Sequence, residues 1–311
     1  MLIVLVGGFY IFFREGSLPV NKESNEPQMF VIREGDDLNT IVTNLKNTKL
    51  IRSRVVFYLT VLRLGIDKNI QAGDFRLNQA MSAEEIAKNL THGTVDSWIT
   101  IIEGWRKEEV AEALTKKFNI PEVEFISKAD EGYLFPDTYL IPNEASADAA
   151  LQILYANFNN KFTPELEEKA NKLGLSKEET VTLASIVERE AKFDQDRKIV
   201  ASILLRRLNE GIALQIDATV QYVLGYQEKD KSWWKKNLTL DDLKIDSPYN
   251  TYVNPGLPPG PISNPGLASL EAVANADSNT LYLFYVSDKS GKLHYAKDLD
   301  GHNANIQKYL Q

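Results

Sequence analysis

Residues 181 to 191 carry the sequence VTLASIVEREA, which contains no Gly or Pro and therefore predicts an uninterrupted helix. At the helical period, Leu183, Ile186, Val187 and Glu190 share one face, and three of these four side chains are large and apolar. Apolar surroundings disfavour the charged form of a carboxyl group, so they raise its pKa. Glu190 is therefore predicted to be a general acid that stays protonated near neutral pH.

The opposite side of this helix is predicted to be polar. Its members are Thr182, Ser185, Arg189 and Lys192. Glu188 lies at the edge of the apolar face, and its spacing from Lys192 is typical of an exposed ion pair between residues i and i+4. A structural role for Glu190 stays open, in which a buried arginine such as Arg197 or Arg206 binds its carboxylate.

Charge and composition exclude several classes of function. The formal net charge is −8 and no long basic run occurs, which argues against nucleic acid as a partner. The absence of Cys excludes disulfides and thiolate chemistry, and it is compatible with an exported bacterial protein. The only histidines are His92, His294 and His302, and no HExxH or paired-Cys spacing is present. We therefore expect neither a metal site nor another cofactor.

The N-terminal run from Leu2 to Phe13 is apolar and uncharged, and it ends at Arg14. A membrane-spanning helix needs about 20 apolar residues, so this run is short for one. It also lacks the basic start and the small-residue cleavage site of a signal peptide. We interpret residues 1–28 as a short single-pass membrane anchor followed by a linker. A buried N-terminal strand is the alternative.

The rest of the chain predicts an α+β fold in three parts. Residues 29–95 alternate short apolar strands with capped helices, which predicts a compact α/β module. Residues 96–145 are expected to be connecting strands and a helix. Residues 146–311 are largely helical in pattern, with a small hairpin that pairs residues 281–286 with residues 292–296.

Two polar segments in the last third of the chain are candidates for a substrate groove. Gln215 and Asp217 alternate with apolar residues, which predicts an extended segment with both polar groups on one side. Asn250 and Tyr252 precede a loop rich in Pro and Gly at residues 254–262. Each Pro fixes its φ angle, so this loop is stiff and suits the wall of a groove.

A specific combination of short stretches runs along most of the chain. These stretches are Glu103-Gly104, FPDTY at residues 135–139, ASIVERE at 184–190, Arg197 with VAS at 200–202, Arg207-Leu208, LQIDATV at 214–220, YNTY at 249–252 and GLPPGPI at 256–262. Each alone is weak evidence, but together they resemble the endolytic murein transglycosylase family (MltG, YceG-like) from about Phe30 to the C-terminus.

The resemblance implies an enzyme of the bacterial cytoplasmic membrane with one membrane-spanning segment and an extracytoplasmic catalytic domain. It implies a LysM-like module at residues 29–95 and a YceG-like catalytic domain at residues 146–311. Such an enzyme is a lyase that cuts nascent peptidoglycan strands between MurNAc and GlcNAc. It leaves 1,6-anhydro-MurNAc ends, ends strand elongation, and is expected to act beside peptidoglycan synthases in the membrane.

The second glutamate of the family motif ASIxExE is its catalytic residue, and it corresponds here to Glu190. Candidates of lower rank for substrate binding are Gln215, Asp217, Asn250, Tyr252, Glu188 and Arg197. Arg197 is expected to pair with a carboxylate of the protein or of a peptide stem. The chain departs from the family pattern at Ala218, where Pro is expected, and at Ile216, where a small polar residue is common.

Two other functions remain open from the residues. A muramidase that uses water would need a second carboxylate across the scissile bond, and Asp217 is the candidate. A membrane-tethered scaffold that binds peptidoglycan without cutting it is the other alternative. A buried carboxylate without a task is costly, so Glu190 argues against the scaffold.

Overall fold

The computed structural model describes residues 2–91 and 96–310. The chain divides into two compact units. The first comprises Met1–Ile99 and Leu140–Glu144, and the second comprises Thr100–Tyr139 and Ala145–Gln311. The mixed α+β class predicted from the sequence is confirmed, since helices dominate and the strands form small two-stranded sheets. The predicted domain boundaries stay predictions. Residue 95, where the predicted LysM-like module ends, lies outside the described residues, and so does His92.

In its described part up to Asn89, the first unit has four helices and one antiparallel pair of strands around a core of their own. Its elements are α1 (Leu2–Ser17), β1 (Gln28–Ile32), α2 (Leu38–Asn47), α3 (Arg54–Leu64), β2 (Gly73–Leu77) and α4 (Ala83–Asn89). The register of β1 and β2 sets Phe30 opposite Phe75, and both rings are buried. Within the described residues, no helix combines the length and the apolar character that crossing a membrane requires.

Two further strands, β3 (Asp96–Thr100) and β4 (Thr138–Pro142), form a second small sheet. The remaining elements belong to the second unit. They are α5 (Lys107–Phe118), α6 (Glu122–Lys128), α7 (Ala147–Lys161), α8 (Pro164–Lys172), α9 (Lys177–Glu190), α10 (Asp194–Asn209), α11 (Asp217–Leu224), a 3-10 helix (Asp242–Lys244), α12 (Leu267–Ala274), β5 (Phe284–Ser287), β6 (Leu293–Ala296) and α13 (Leu299–Tyr309).

Helix α9 lies at the centre of the second unit, packed against α8, α10, α11 and α12. A capping box formed by Ser176 and Glu179 starts it. The predicted polar side is wrong at Thr182 and Ser185, which are both buried. The Ser185 hydroxyl donates to the Thr182 carbonyl and accepts from the backbone N–H of Ile262. The Pro/Gly loop thus covers a face of the helix that the helical period alone assigns to solvent.

The extended segment predicted around Gln215 and Asp217 is wrong from Asp217 onward, because α11 begins there. An acidic side chain in the first turn favours a helix N-terminus, and the Thr219 hydroxyl closes that turn onto the Ile216 carbonyl. Gln215 has a positive φ of 55°, which turns the chain sharply into the helix. Gln215 and Asp217 still line one cavity, for a reason other than strand alternation.

The hairpin predicted near the C-terminus is confirmed. β5 and β6 pair antiparallel with Tyr285 opposite Tyr295, across a turn at Gly291 whose φ is 89°. Helix α13, which the sequence pattern did not indicate, packs on both strands. This packing brings His302 to the same cavity as Tyr285.

Candidate active site

A cavity of about 460 Å³ opens in the second unit at the C-terminal end of α9. Its walls come from α10, the turn into α11, the loop before the Pro/Gly segment, the β5–β6 hairpin and α13. The lining residues that carry polar side chains are Glu190, Arg207, Gln215, Asp217, Tyr252, Tyr285, Ser287 and His302. Three of the sequence-predicted candidates, Gln215, Asp217 and Tyr252, therefore meet Glu190 in one place.

Glu190 is the last residue of α9 and is only partly exposed. Burial raises its pKa to about 7, and the negative charge of Asp217 acts in the same direction. The Tyr285 hydroxyl donates to Oε2 of Glu190 at 2.9 Å and partly opposes this rise, because it stabilises the carboxylate. A carboxyl group with a pKa near 7 can both give and take a proton at neutral pH.

The structural alternative for Glu190 required a buried arginine partner. Arg197 instead pairs with Glu188 at 2.9 Å, and Arg206 pairs with Glu210 at 2.7 Å. The hydrogen bond that the structure gives the Glu190 carboxyl comes from a phenol, Tyr285. Both arginines proposed as partners of Glu190 therefore pair with other carboxylates.

The exposed pair predicted between Glu188 and Lys192 is wrong. The Glu188 side chain is only 5% exposed, and besides Arg197 it accepts hydrogen bonds from the Gly266 N–H at 3.0 Å and the Ser269 hydroxyl at 2.8 Å. Those donors lie at the start of α12, which packs on this side of α9. Glu188 and Arg197 thus join α9, α10 and α12 and do not line the cavity.

Asp217 and Tyr252 form a pair inside the cavity. The Tyr252 hydroxyl donates to Oδ1 of Asp217 at 2.6 Å, and Asp217 holds the first position of α11. Burial, followed by the hydrogen bond to Asp217, raises the pKa of the Tyr252 phenol. This phenol therefore stays protonated and can act as a donor. The Gln215 amide oxygen lies 3.5 Å from Nη2 of Arg207.

Asn250 is fully buried and does not line the cavity. Its Nδ2 donates to the carbonyls of Leu243 and Ile245, and its Oδ1 accepts from the Tyr252 N–H at 3.0 Å. This geometry is the loop hydrogen bonding that the sequence left as an alternative to sugar binding. Through the backbone of Tyr252, Asn250 positions a residue that does line the cavity.

Sequence reasoning missed Arg207 and Tyr285 as cavity residues. Arg207 belonged to a matching stretch, but its helical pattern gives no sign that a polar side chain is needed inside. Tyr285 was one of several aromatic residues in a strand, and only the hairpin register distinguishes it from its neighbours. In the described parts of the chain, no cluster of His, Asp or Glu is arranged to hold a metal ion. His294 is hydrogen-bonded to Asp288 at 2.9 Å.

Comparison with known proteins gives a consistent result. The model of the YceG-like family matches residues 30–308. An endolytic murein transglycosylase of Bacillus subtilis is 31% identical, over 99% of this chain and 91% of the relative. One from Streptococcus pneumoniae is 27% identical over the whole chain, which spans only 64% of that relative. A crystal structure of a YceG-like protein from Listeria monocytogenes is 29% identical, has a TM-score of 0.59, and covers 90% of this chain and 99% of the other.

Proposed function

The chain belongs to the YceG-like family, and on this premise we propose that it is an endolytic murein transglycosylase that cuts peptidoglycan strands internally. One observation carries the proposal. A single carboxyl group, Glu190, has a pKa raised to about 7 and opens onto a cavity lined by other polar groups. A lytic transglycosylase needs one group that acts first as an acid and then as a base, and this group meets that requirement.

In the proposed reaction, Glu190 donates its proton to the oxygen between MurNAc and GlcNAc as the bond from C1 to that oxygen breaks. The resulting carboxylate then accepts the proton of the C6 hydroxyl of the same MurNAc. That hydroxyl oxygen bonds to C1, which gives a 1,6-anhydro-MurNAc end without consuming water. Gln215, Tyr252 and Asp217 are proposed to orient the sugar and to stabilise the positive charge that develops at C1.

Asp217 also favours a second candidate, a muramidase that uses water. The residue lies in the same cavity as Glu190, and its charge acts on Glu190. Glycosidases that hydrolyse use a second carboxylate to attack the sugar or to activate water. In that reaction Asp217 would take this role, and Tyr252 would hold it in place through their 2.6 Å hydrogen bond.

Mass spectrometry of the products separates the two reactions. We expect purified peptidoglycan digested by the full chain to yield fragments with anhydro-MurNAc ends. We expect Asp217→Asn to cut more slowly, because it loses a charge that helps to stabilise C1, but still to form this product. Reducing ends, together with a loss of most activity in Asp217→Asn, would instead establish the muramidase. Binding without any cleavage would leave the scaffold alternative.

The pH dependence of cleavage tests the role of Glu190. Since the acid must be protonated in the free enzyme, kcat/KM is expected to fall as pH rises through about 7. Tyr285→Phe removes a hydrogen bond that lowers the pKa of Glu190, so the fall should move to higher pH. Tyr295→Phe is the matched control, because Tyr295 faces Tyr285 in the hairpin register but binds Asp196. A fall that stays in place in Tyr285→Phe would contradict this assignment.

The chain's surroundings in the cell are part of the same proposal. We place the enzyme at the bacterial cytoplasmic membrane with its catalytic unit outside, tethered through residues 1–28, with a LysM-like module at residues 29–95. Cleavage of nascent strands there would end their elongation beside the synthases that make them. A protease added to intact spheroplasts should then degrade the chain. A protected chain would contradict this location.

A further inference from the structure

Arg207 is a buried cation in the cavity, and it has no acidic partner in the part of the chain that the structure describes. The residue is 8% exposed, and its Nε has no hydrogen-bond partner among the described residues. Its guanidinium lies over the ring of Phe284, 5.7 Å from the centroid, and Nη2 is a long 3.5 Å from the neutral amide oxygen of Gln215. Buried arginines are normally paired with a carboxylate, because leaving the charge unpaired is costly.

The two carboxyl groups of the cavity do not meet this need. Each accepts a hydrogen bond from a phenol on one oxygen, Glu190 from Tyr285 and Asp217 from Tyr252. Arg207 lies near these two phenols, and its positive charge acts on both of them. The guanidinium carries five N–H donors in a planar fork that matches the geometry of a carboxylate or a phosphate. Of these two groups, the muramic acid and peptide stems of peptidoglycan carry carboxylates, so a substrate carboxylate would satisfy Arg207.

His302 lies close to Arg207. It stacks on Phe284 at 5.2 Å, its Nδ1 has no hydrogen-bond partner among the described residues, and it lines the same cavity. The charge of Arg207 lowers the pKa of His302, although burial lowers it more. Arg207 and His302 thus both line the cavity of Glu190, and each has a nitrogen without a hydrogen-bond partner among the described residues.

We propose that Arg207, assisted by His302, forms a subsite for a substrate carboxylate, so that the enzyme selects glycan whose muramic acid carries a negative charge near the ring. This inference rests on the proposed function and specifies its substrate. The charge has two chemical sources. One is the lactyl carboxylate of MurNAc after its peptide stem has been removed, and the other is a carboxylate of the stem itself.

Binding of defined strands to the full chain carrying Glu190→Gln tests the subsite without turnover. One pair of probes is amidase-treated strands with the lactyl carboxylate either free or converted to a methylamide. The second pair is stem-bearing strands with stem carboxylates either free or amidated. We expect roughly ten- to hundredfold tighter binding of the charged member in one pair, as hydrogen bonds to charged groups contribute. The pair that shows the contrast identifies the source.

Variants of Arg207 then test whether this residue causes the tighter binding of charged strands. Adding Arg207→Gln should abolish the difference in affinity between charged and neutral strands, and Arg207→Lys should keep part of it. Arg206→Gln should leave it unchanged, because Arg206 is the neighbouring residue on α10 and pairs with Glu210. Thermal melting of each variant identifies any that fail to fold. The comparison of charged and neutral strands on the protein with native Arg207 does not depend on those variants.

Equal binding of charged and neutral strands in both pairs would overturn the subsite. Cleavage assays with native Glu190 separate that outcome from failure of the proposed function. If charged and amidated strands are cut with equal kcat/KM, the glycan-cleaving function stands and the subsite falls. If none of the strands is cut or bound, the proposed function fails and this inference fails with it.

Discussion

Replacing Glu190 with Gln is expected to lower glycan cleavage by about 10²–10⁴-fold, which is the usual contribution of a general acid. The amide has nearly the same shape as the carboxyl group, but it has no acidic proton to give to the glycosidic oxygen. It also cannot accept the proton of the C6 hydroxyl in the second step. The measurement is the rate at which the full chain releases soluble fragments from purified peptidoglycan.

Glu178→Gln is the matched control for this variant. Glu178 lies in the first turn of the same helix and is exposed, so its replacement should leave the rate unchanged. The folded state disfavours the charged form of Glu190, so its charge lowers stability above its ordinary pKa. Glu190→Gln should therefore melt at the same temperature as the parent or higher at pH 8. A variant that keeps its activity would remove Glu190 from the mechanism.

Local sequence information was sufficient where one element determines the outcome. The period of the helix placed Glu190 on the same face as Leu183 and Ile186, and the structure has that carboxyl group in surroundings that raise its pKa. The hairpin of β5 and β6 followed from two apolar runs separated by a turn with Gly291. In each case the deciding interactions lie within a short stretch of chain.

The errors come from contacts between residues far apart in the sequence. The spacing of Glu188 from Lys192, four residues away, predicts an exposed ion pair. In the structure the Glu188 carboxylate instead accepts hydrogen bonds from Gly266 and Ser269, at the start of a helix about 80 residues later. A helical wheel treats any polar side as facing solvent, so it cannot identify a helix covered on every side. Tyr285 likewise reaches Glu190 across 95 residues.

The proposed carboxylate subsite shows the same limit for function. Arg197 and Arg207 lie on one helix, and no local pattern favours the second for binding a substrate acid. In the structure Arg197 pairs with Glu188, whereas Arg207 lines the cavity and has no carboxylate partner among the described residues. What distinguishes the two arginines is the identity of their distant partners, which follows only from the packing of the whole unit.

Replacing Glu188 with Ala is expected to destabilise the fold by about 3 kcal/mol, because it removes the one buried carboxylate among the three that the described residues place near the Arg197 guanidinium, and leaves half-exposed Glu103 at 3.5 Å and exposed Asp194. The Gly266 N–H and the Ser269 hydroxyl lose their acceptor as well. Asp194 stays 2.8 Å from Arg197, but its side chain is 82% exposed and offers a weaker partner. Thermal melting should show a fall of roughly 10 °C.

The double variant Glu188→Ala with Arg197→Met should recover part of this loss, because it removes the unpaired charge and leaves an apolar side chain. Glu165→Ala, at an exposed pair with Lys169, is the control and should cost less than about 1 kcal/mol. The same measurements decide whether Glu188 also binds substrate. An unchanged melting temperature with a raised KM in Glu188→Ala would contradict the structural role and return Glu188 to the substrate-binding residues. A lowered melting temperature, with an unchanged KM at temperatures below unfolding, would show that Glu188 only joins α9, α10 and α12 and does not bind substrate.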